Sequence, residues 1–307
     1  MRRMGVISLA LDHYDEQEYV DQVVDRARKL VQTDIWDAIN SQRLEHWLGC
    51  LENYNARLLG AYLLDNLCCR SRLQFLAMLD ALFCDLRQES LGLTSDGRLT
   101  ALLRGKPPKD VPIVLAPVIG LSAPPTKSGP YILRLCARRY RIHPDWLAWP
   151  ANLPKYDKLR CLFFVDDFCG TGEQFHEFAE SIDLNGLHKR NPEMRIIYLV
   201  ATIHPTGSKK LRDQWPFIQV KCADQLVEGN SVMSEACFSR YEIPGFKEVV
   251  MAQYEDVVKK AGLPASGRLA HGFGDLGLAY AFTHATPNNT LPIFWYETPQ
   301  WTPLLDR

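Results

Sequence analysis

Two adjacent carboxylates, Asp166 and Asp167, stand directly ahead of a Gly-Thr-Gly turn in the segment LFFVDDFCGTGEQF, Leu162–Phe175. Apolar residues lead into the pair. A helical pattern leads away from it, with Phe175, Phe178, Ala179 and Ile182 on one face. In a parallel α/β sheet, ligands bind beyond the carboxyl ends of the strands, so the two acids are expected at such an end. Gly170 and Gly172 let the backbone curl with its N–H groups facing one point, and the next helix adds the positive end of its dipole there. A phosphate is the natural occupant of that point. Carboxylates nearby cannot favour a phosphate, but they can accept hydrogen bonds from sugar hydroxyls. A phosphate joined to a diol is a ribose phosphate. The bland alternative is a helix cap after a strand, with glycines easing the turn, yet a cap needs neither two acids nor Gly-Thr-Gly.

This segment resembles the signature of type I phosphoribosyltransferases, in which an acidic pair and a Thr-Gly turn hold phosphoribosyl pyrophosphate. The resemblance implies that Asp166 and Asp167 are the catalytic pair and hold the ribose hydroxyls. It implies that Phe168, Cys169, Gly170, Thr171 and Gly172 bind the ligand around its 5-phosphate. Active transferases of this fold also hold pyrophosphate, with a loop after an earlier strand. Thr126-Lys127-Ser128-Gly129 occupies that place, Lys127 as a charge and Gly129 as a residue permitting unusual backbone; an exposed turn is the equal alternative. Mg²⁺ is the implied cofactor, offsetting the pyrophosphate charge, and the sequence does not define its protein ligands. Two positions depart from the signature, where Gly170 and Glu173 replace hydroxyl residues. A carboxylate ~5 Å from a phosphate would cost about 3 kcal/mol per unit charge at an effective dielectric near 20. Glu173 is therefore expected to point outward on the first helical turn. Little room is left in Arg141–Arg160 for the family's long hood loop, and its proline and tryptophan content reads as a fixed connection.

Outside the motif, His204 ends a strand and is a further candidate for the ligand. His271, His284, Asn288 and Asn289 could line a pocket, although turn and loop-capping roles are commoner for such residues. Cys169 reads as a small residue fitted to a tight turn rather than a nucleophile. Trp146 and Trp149 read as packing rather than as a platform for a base.

The elements that must position these residues follow from hydrophobic spacing. VPIVLAPVIG (Val111–Gly120), CLFFV (Cys161–Val165), RIIYLVATI (Arg195–Ile203) and FIQVKCA (Phe217–Ala223) are apolar runs bounded by turn residues, the pattern of buried strands. Helices are expected near Tyr131–Tyr140, over Glu173–Leu184 and over Gly245–Ala261. Short strands alternating with helices imply an α/β fold, a mostly parallel sheet flanked by helices, with Cys161–Val165 central. The first hundred residues read as a helical extension: Phe75, Met78, Leu79, Leu82, Phe83 and Leu86 keep helical spacing, as do Leu58, Leu59, Tyr62, Leu63 and Leu67. A breaker-rich stretch from Gly92 through Gly105-Lys106-Pro107-Pro108 is the best internal boundary. It divides a helical region, 1–105, from a phosphoribosyltransferase-like domain, 106–307, whose Gly-, Pro- and Asn-rich last forty residues wrap the core.

Bulk properties exclude several classes. With 35 basic and 36 acidic residues the formal charge is −1, which gives no overall pull toward nucleic acid or anionic lipid, although Arg134, Arg138, Arg139 and Arg141 make a local basic patch. No apolar stretch is long enough to span a membrane. Gly5–Leu11 is a short apolar run, read as a terminal strand or helix rather than an export signal. Nine cysteines without a CxxC pair point to buried thiols and a cytoplasmic protein.

A narrower resemblance covers nearly the whole chain: a tryptophan-containing helical N-terminus, Lys127-Ser128-Gly129, DDFCGTG, then HGFGDLG…THATPNNTLPIFW…WTPLLDR. Together these resemble phosphoribosyltransferase-like proteins of bacterial conflict systems, including effectors encoded beside retron reverse transcriptases. That group implies an anti-phage effector or toxin restrained by a partner, such as a retron reverse transcriptase with its RNA–DNA or another defence protein. Three functions stay open. The chain is a transferase or nucleotide N-glycosidic hydrolase, a non-catalytic nucleotide sensor, or an interaction module within a retron complex.

Overall fold

The computed structural model describes residues 13–84, 86–88, 97–124, 126–156, 158–241 and 245–307, with side chains from residue 16 onward. The Gly5–Leu11 run, Gly92 and Pro125 lie outside the described residues. In chain order the elements are α1 (His13–Gln32), α2 (Ser41–Gly49), α3 (Tyr54–Asp65), β1 (Cys68–Arg70), α4 (Arg72–Cys84), α5 (Leu99–Leu102), β2 (Ile113–Pro117), α6 (Ser128–Tyr140) and β3 (Cys161–Cys169). They continue with α7 (Glu173–Ser181), α8 (Leu184–Arg190), β4 (Arg195–Ile203), α9 (Pro205–Gln214), β5 (Ile218–Gln225), α10 (Glu235–Phe238), α11 (Phe246–Lys260), β6 (Tyr280–Phe282) and α12 (Pro292–Trp295). The chain divides into two compact units, residues 1–73 with 227–307, and residues 74–226.

The first unit joins both ends of the chain. Asn40 and Asn53 start α2 and α3 by accepting from the Arg43 and Ala56 amides at 2.8 and 2.9 Å. Helix α1 buries Val20, Val23, Ala27 and Val31, one stripe at helical spacing, and packs on α3. Trp47 is fully buried, stacks on Phe294 at 6.0 Å and meets Trp301 edge-on at 6.2 Å. Its indole N–H donates to the Ile293 carbonyl at 3.0 Å. Strand β1 pairs in parallel with β6. The last forty residues thus share one core with the N-terminal helices.

The second unit carries a four-stranded, all-parallel sheet in the order β2-β3-β4-β5. The α/β class, the parallel sheet flanked by helices and the interior position of the Cys161 strand match the sequence reading. Strand β3 runs four residues past Val165, to Cys169, pairing with β4 through Cys169↔Ile203. Leu162 and Phe164 join Phe175 and Phe178 of α7 in one core, the Phe164 ring meeting those of Phe175 and Phe178 edge-on at 6.0 and 5.0 Å. Helix α6 packs on β2 and β3. In the connection before β3, Leu147 bridges Leu115, and buried Trp146 donates from Nε1 to the Gly105 carbonyl at 2.7 Å.

The 105/106 boundary falls inside this second unit. Helix α4 is the reason. Phe83 packs against Tyr140 of α6 with ring centroids 4.6 Å apart, and Asp80 pairs with Arg139 and accepts from the Tyr140 hydroxyl at 3.0 Å. One member of the basic patch is neutralised in this way. All nine cysteines are free thiols.

Candidate functional site

Because Asp166 and Asp167 both lie within β3, they project to opposite faces of the sheet. Asp166 follows Leu162 and Phe164 on the face covered by α7. Its Oδ2 accepts from the Tyr198 hydroxyl at 2.9 Å and its Oδ1 from the Asp167 amide at 3.0 Å. Tyr198 sits on β4 opposite Phe164, its ring 4.5 Å from that of Phe175. Asp166 is 1% exposed, and burial, reinforced by the charge of Asp167, raises its pKa well above the usual carboxylate range. Burial and the Asp166 charge likewise push the Tyr198 phenol well up. Tyr198 therefore keeps its proton and serves as donor.

Asp167, 5% exposed, turns to the other face, where its Oδ1 accepts from Ser128 Oγ at 3.0 Å. Ser128 is the first residue of α6, so a bond spanning 39 residues of sequence joins the acidic pair to the expected pyrophosphate loop. Lys127 precedes it, exposed, with no side-chain capping bond. Gly129 has a different role from the one expected. It lies in the first turn of α6 without a positive φ. A Cβ there would stand 2.5 Å from the Val118 carbonyl oxygen, so close approach to the end of β2 requires the glycine.

Phe168 and Cys169 are the last two residues of β3, Phe168 half-buried and Cys169 buried. The Cys169 thiol accepts from the Gly172 amide, and burial holds its pKa up at about 12. It ties the turn together and is no thiolate at neutral pH. Gly172 has φ +78° and caps α7. Helix α9 comes so close that a Cβ on Gly207 would lie 2.5 Å from the Gly170 carbonyl oxygen. Glu173, on the first turn of α7, forms an ion pair with Lys210 of α9.

Several other candidates are structural. His204 caps α9, its Nδ1 accepting from the Thr206 amide at 3.2 Å while its own amide donates to the Cys169 carbonyl at 2.9 Å. Burial lowers its pKa, so the neutral acceptor form is favoured. In the first unit, Asn289 donates to the Phe273 carbonyl at 2.6 Å, the Asn288 carbonyl accepts from the Phe273 amide at 2.7 Å, and His284 stacks on Phe282 at 5.2 Å. His271 lies 3.9 Å from Asp275. Trp149 differs from expectation, being 45% exposed rather than packed.

Tyr198 and Lys210 are site residues that the sequence reading missed. A phenol inside the apolar run RIIYLVATI was a signal, since a buried tyrosine hydroxyl needs a partner.

A parallel sheet, an acidic pair at the carboxyl end of an interior strand and a glycine turn opening a helix define the phosphoribosyltransferase-like class. A family model agrees, matching residues 44–307, and the chain belongs to the PRTase-CE family. No curated protein and no solved structure matches it. Among the described residues, no helix is long and apolar enough to cross a membrane.

Proposed function

We propose that the carboxyl end of β3 binds a ribose 5-phosphate ligand, either phosphoribosyl pyrophosphate or a nucleotide. Asp167 accepts from a ribose hydroxyl, Asp166 sits behind it, and Gly170–Gly172 wrap the 5-phosphate. The observation that carries this reading is the Ser128–Asp167 hydrogen bond, which brings two separately recognised parts of a ligand site together. In its enzymatic form the site transfers or hydrolyses at the anomeric carbon, with charge at an oxocarbenium-like centre stabilised by the Asp167 carboxylate.

Mg²⁺ fits this donor set as a companion of the ligand. Among the described residues no group of three or more His, Cys, Asp or Glu forms a ready-made metal site. One carboxylate plus substrate phosphates is an ordinary Mg²⁺ environment, and Asp167 is the carboxylate that would hold the ion here. When bound, the ion would offset the charge of the leaving pyrophosphate.

Calorimetric titration of phosphoribosyl pyrophosphate with Mg²⁺ tests the assignment. Wild-type protein should bind, and Asp167→Asn should weaken binding about ten- to a hundredfold, the value of one charged hydrogen bond. Equal affinity in the two proteins would remove the ribose role. A nucleotide sensor is the second reading, favoured by the Glu173–Lys210 pair beside the turn. Binding without product formation would select it.

For the biological setting we propose a cytoplasmic effector of a bacterial anti-phage retron system, restrained by a reverse transcriptase with its RNA–DNA or by another defence protein. The resemblance of HGFGDLG and WTPLLDR to that group supports it. Expression with and without the neighbouring genes, scored for growth and phage plating, is the test. Unaltered growth and plating in both cases would overturn the setting.

A further inference from the structure

Glu173 occupies the place where a phosphate-binding turn least tolerates a negative charge, and the structure gives that charge a partner. Its carboxylate pairs with Lys210, whose side chain is 23% exposed against 34% for Glu173. The pair is neither sealed in the core nor loose in solvent. Lys210 is also built into the wall of the turn. A Cβ added to Gly172 would lie 3.3 Å from the Lys210 Cβ and 3.3 Å from the Gly207 Cα. Only glycines on both sides allow α9 to come this near, so the flexible four-carbon stem of Lys210 starts in contact with the turn. Glu173 itself sits at the positive end of the α7 dipole, where an anion is favoured. An acidic side chain on a helix N-terminus, clasped by a lysine from the neighbouring helix, is the arrangement that a bound phosphate would take.

We propose that Lys210 is a ligand of the 5-phosphate, held by Glu173 until the phosphate takes the lysine over. Glu173 is then a built-in competitor that sets the affinity of the site. A phosphate monoester carries ≈ −1.5 to −2 charges near neutral pH against −1 for the carboxylate, so the exchange favours the ligand. This inference rests on the ribose 5-phosphate reading of Gly170–Gly172, and its test separates the two.

The experiment titrates phosphoribosyl pyrophosphate with Mg²⁺, and adenosine monophosphate, into wild type, Lys210→Met, Lys210→Arg and Glu173→Gln. Lys210→Met should weaken both ligands alike, by about ten- to a hundredfold, because both carry the same 5-phosphate. Lys210→Arg should restore most of that loss, which shows that the charge and not the fold is responsible. Glu173→Gln should act with the opposite sign and tighten both ligands about two- to tenfold, since it removes the competitor and the like charge together. If Glu173→Gln weakens binding as Lys210→Met does, the pair merely braces the turn and the inference falls. It falls too if wild type binds and Lys210→Met binds equally well. Should wild type bind neither ligand, the ribose 5-phosphate reading fails first and takes this inference with it.

Discussion

The two units bury polar groups for different ends. In the first, Thr286, Asn289 and Thr290 are buried, and each donates to a backbone carbonyl: Asp306 at 2.5 Å, Phe273 at 2.6 Å and Tyr280 at 2.6 Å. These groups are neutral and satisfied, and they hold loops in place. In the second, the buried polar set includes Asp166 and Asp167, the only carboxylates in that class among the described residues. Burying a charge is expensive even when it is paired. A unit that needed only closure would use groups of the first kind. Two adjacent buried acids at a strand end are what the proposed ligand site would use.

The largest effect that would test this contrast belongs to the first unit. Trp47→Ala removes a fully buried indole with its stack on Phe294, its edge contact with Trp301 and its bond to Ile293. A loss of about 3–5 kcal/mol is expected. Hydrogen exchange resolved by peptide should rise across residues 290–305. An unchanged pattern there would mean that the C-terminal segment does not depend on the N-terminal helices for its core.

The second unit offers a functional counterpart. Lys127→Ala should leave stability within about 0.5 kcal/mol, because the side chain is exposed and caps nothing. Phosphoribosyl pyrophosphate carries a second phosphate group across the ribose from Gly170–Gly172, and adenosine monophosphate does not. The variant should therefore lose about 1.5–3 kcal/mol toward the first ligand only. Equal losses would move Lys127 to the common phosphate site or to the fold. No loss with either would favour the sensor reading.

A subtler test concerns Asp166, whose folded pKa is raised by burial and by the charge of Asp167. A raised carboxylate stabilises the fold at low pH. That contribution is complete below the unfolded value of about 3.9 and is lost as pH climbs through the folded one. Asp166→Asn removes the titration. Its melting temperature relative to wild type should therefore improve as pH rises from about 4 through the raised folded value. A wild type that instead gains on the variant as pH rises would show that Asp166 is ionised and stabilised in the folded protein.

Much of this contrast was legible in the sequence, and the remainder was hidden for physical reasons. The sheet strands announced themselves because burial on both faces demands unbroken apolar runs. Strand β3 outran its apolar stretch because Asp166–Cys169 keep strand pairing while carrying polar groups. Strand β1 has three residues and pairs with β6, more than 200 residues away, too short for a period and too distant for a local signal. For the same reason the first unit could not be assembled from the two chain ends. The motif Asp166–Gly172 was readable because its parts are contiguous. Tyr198 and Lys210 reach it from 32 and 37 residues away, in a strand that reads as plain apolar and a helix that reads as plain polar. Gly207, a glycine inside α9, was the one local hint of the close approach.

The smallest effect probes where the sheet unit begins. Helix α4 keeps the spacing of the N-terminal helices, yet Asp80 pairs with Arg139 and accepts from Tyr140 on α6. Arg139 holds the Asp80 carboxyl below its ordinary range. Both side chains are partly solvated, 33% for Arg139 and 47% for Asp80, so screening reduces the value of the pair. Asp80→Asn should cost about 0.5–1 kcal/mol, less in high salt. The loss should appear as faster exchange in α4 and α6, with α1–α3 and α11 unaffected. Faster exchange confined to α1–α3 would return α4 to the N-terminal helices and move the boundary toward the breaker-rich stretch that the sequence marks.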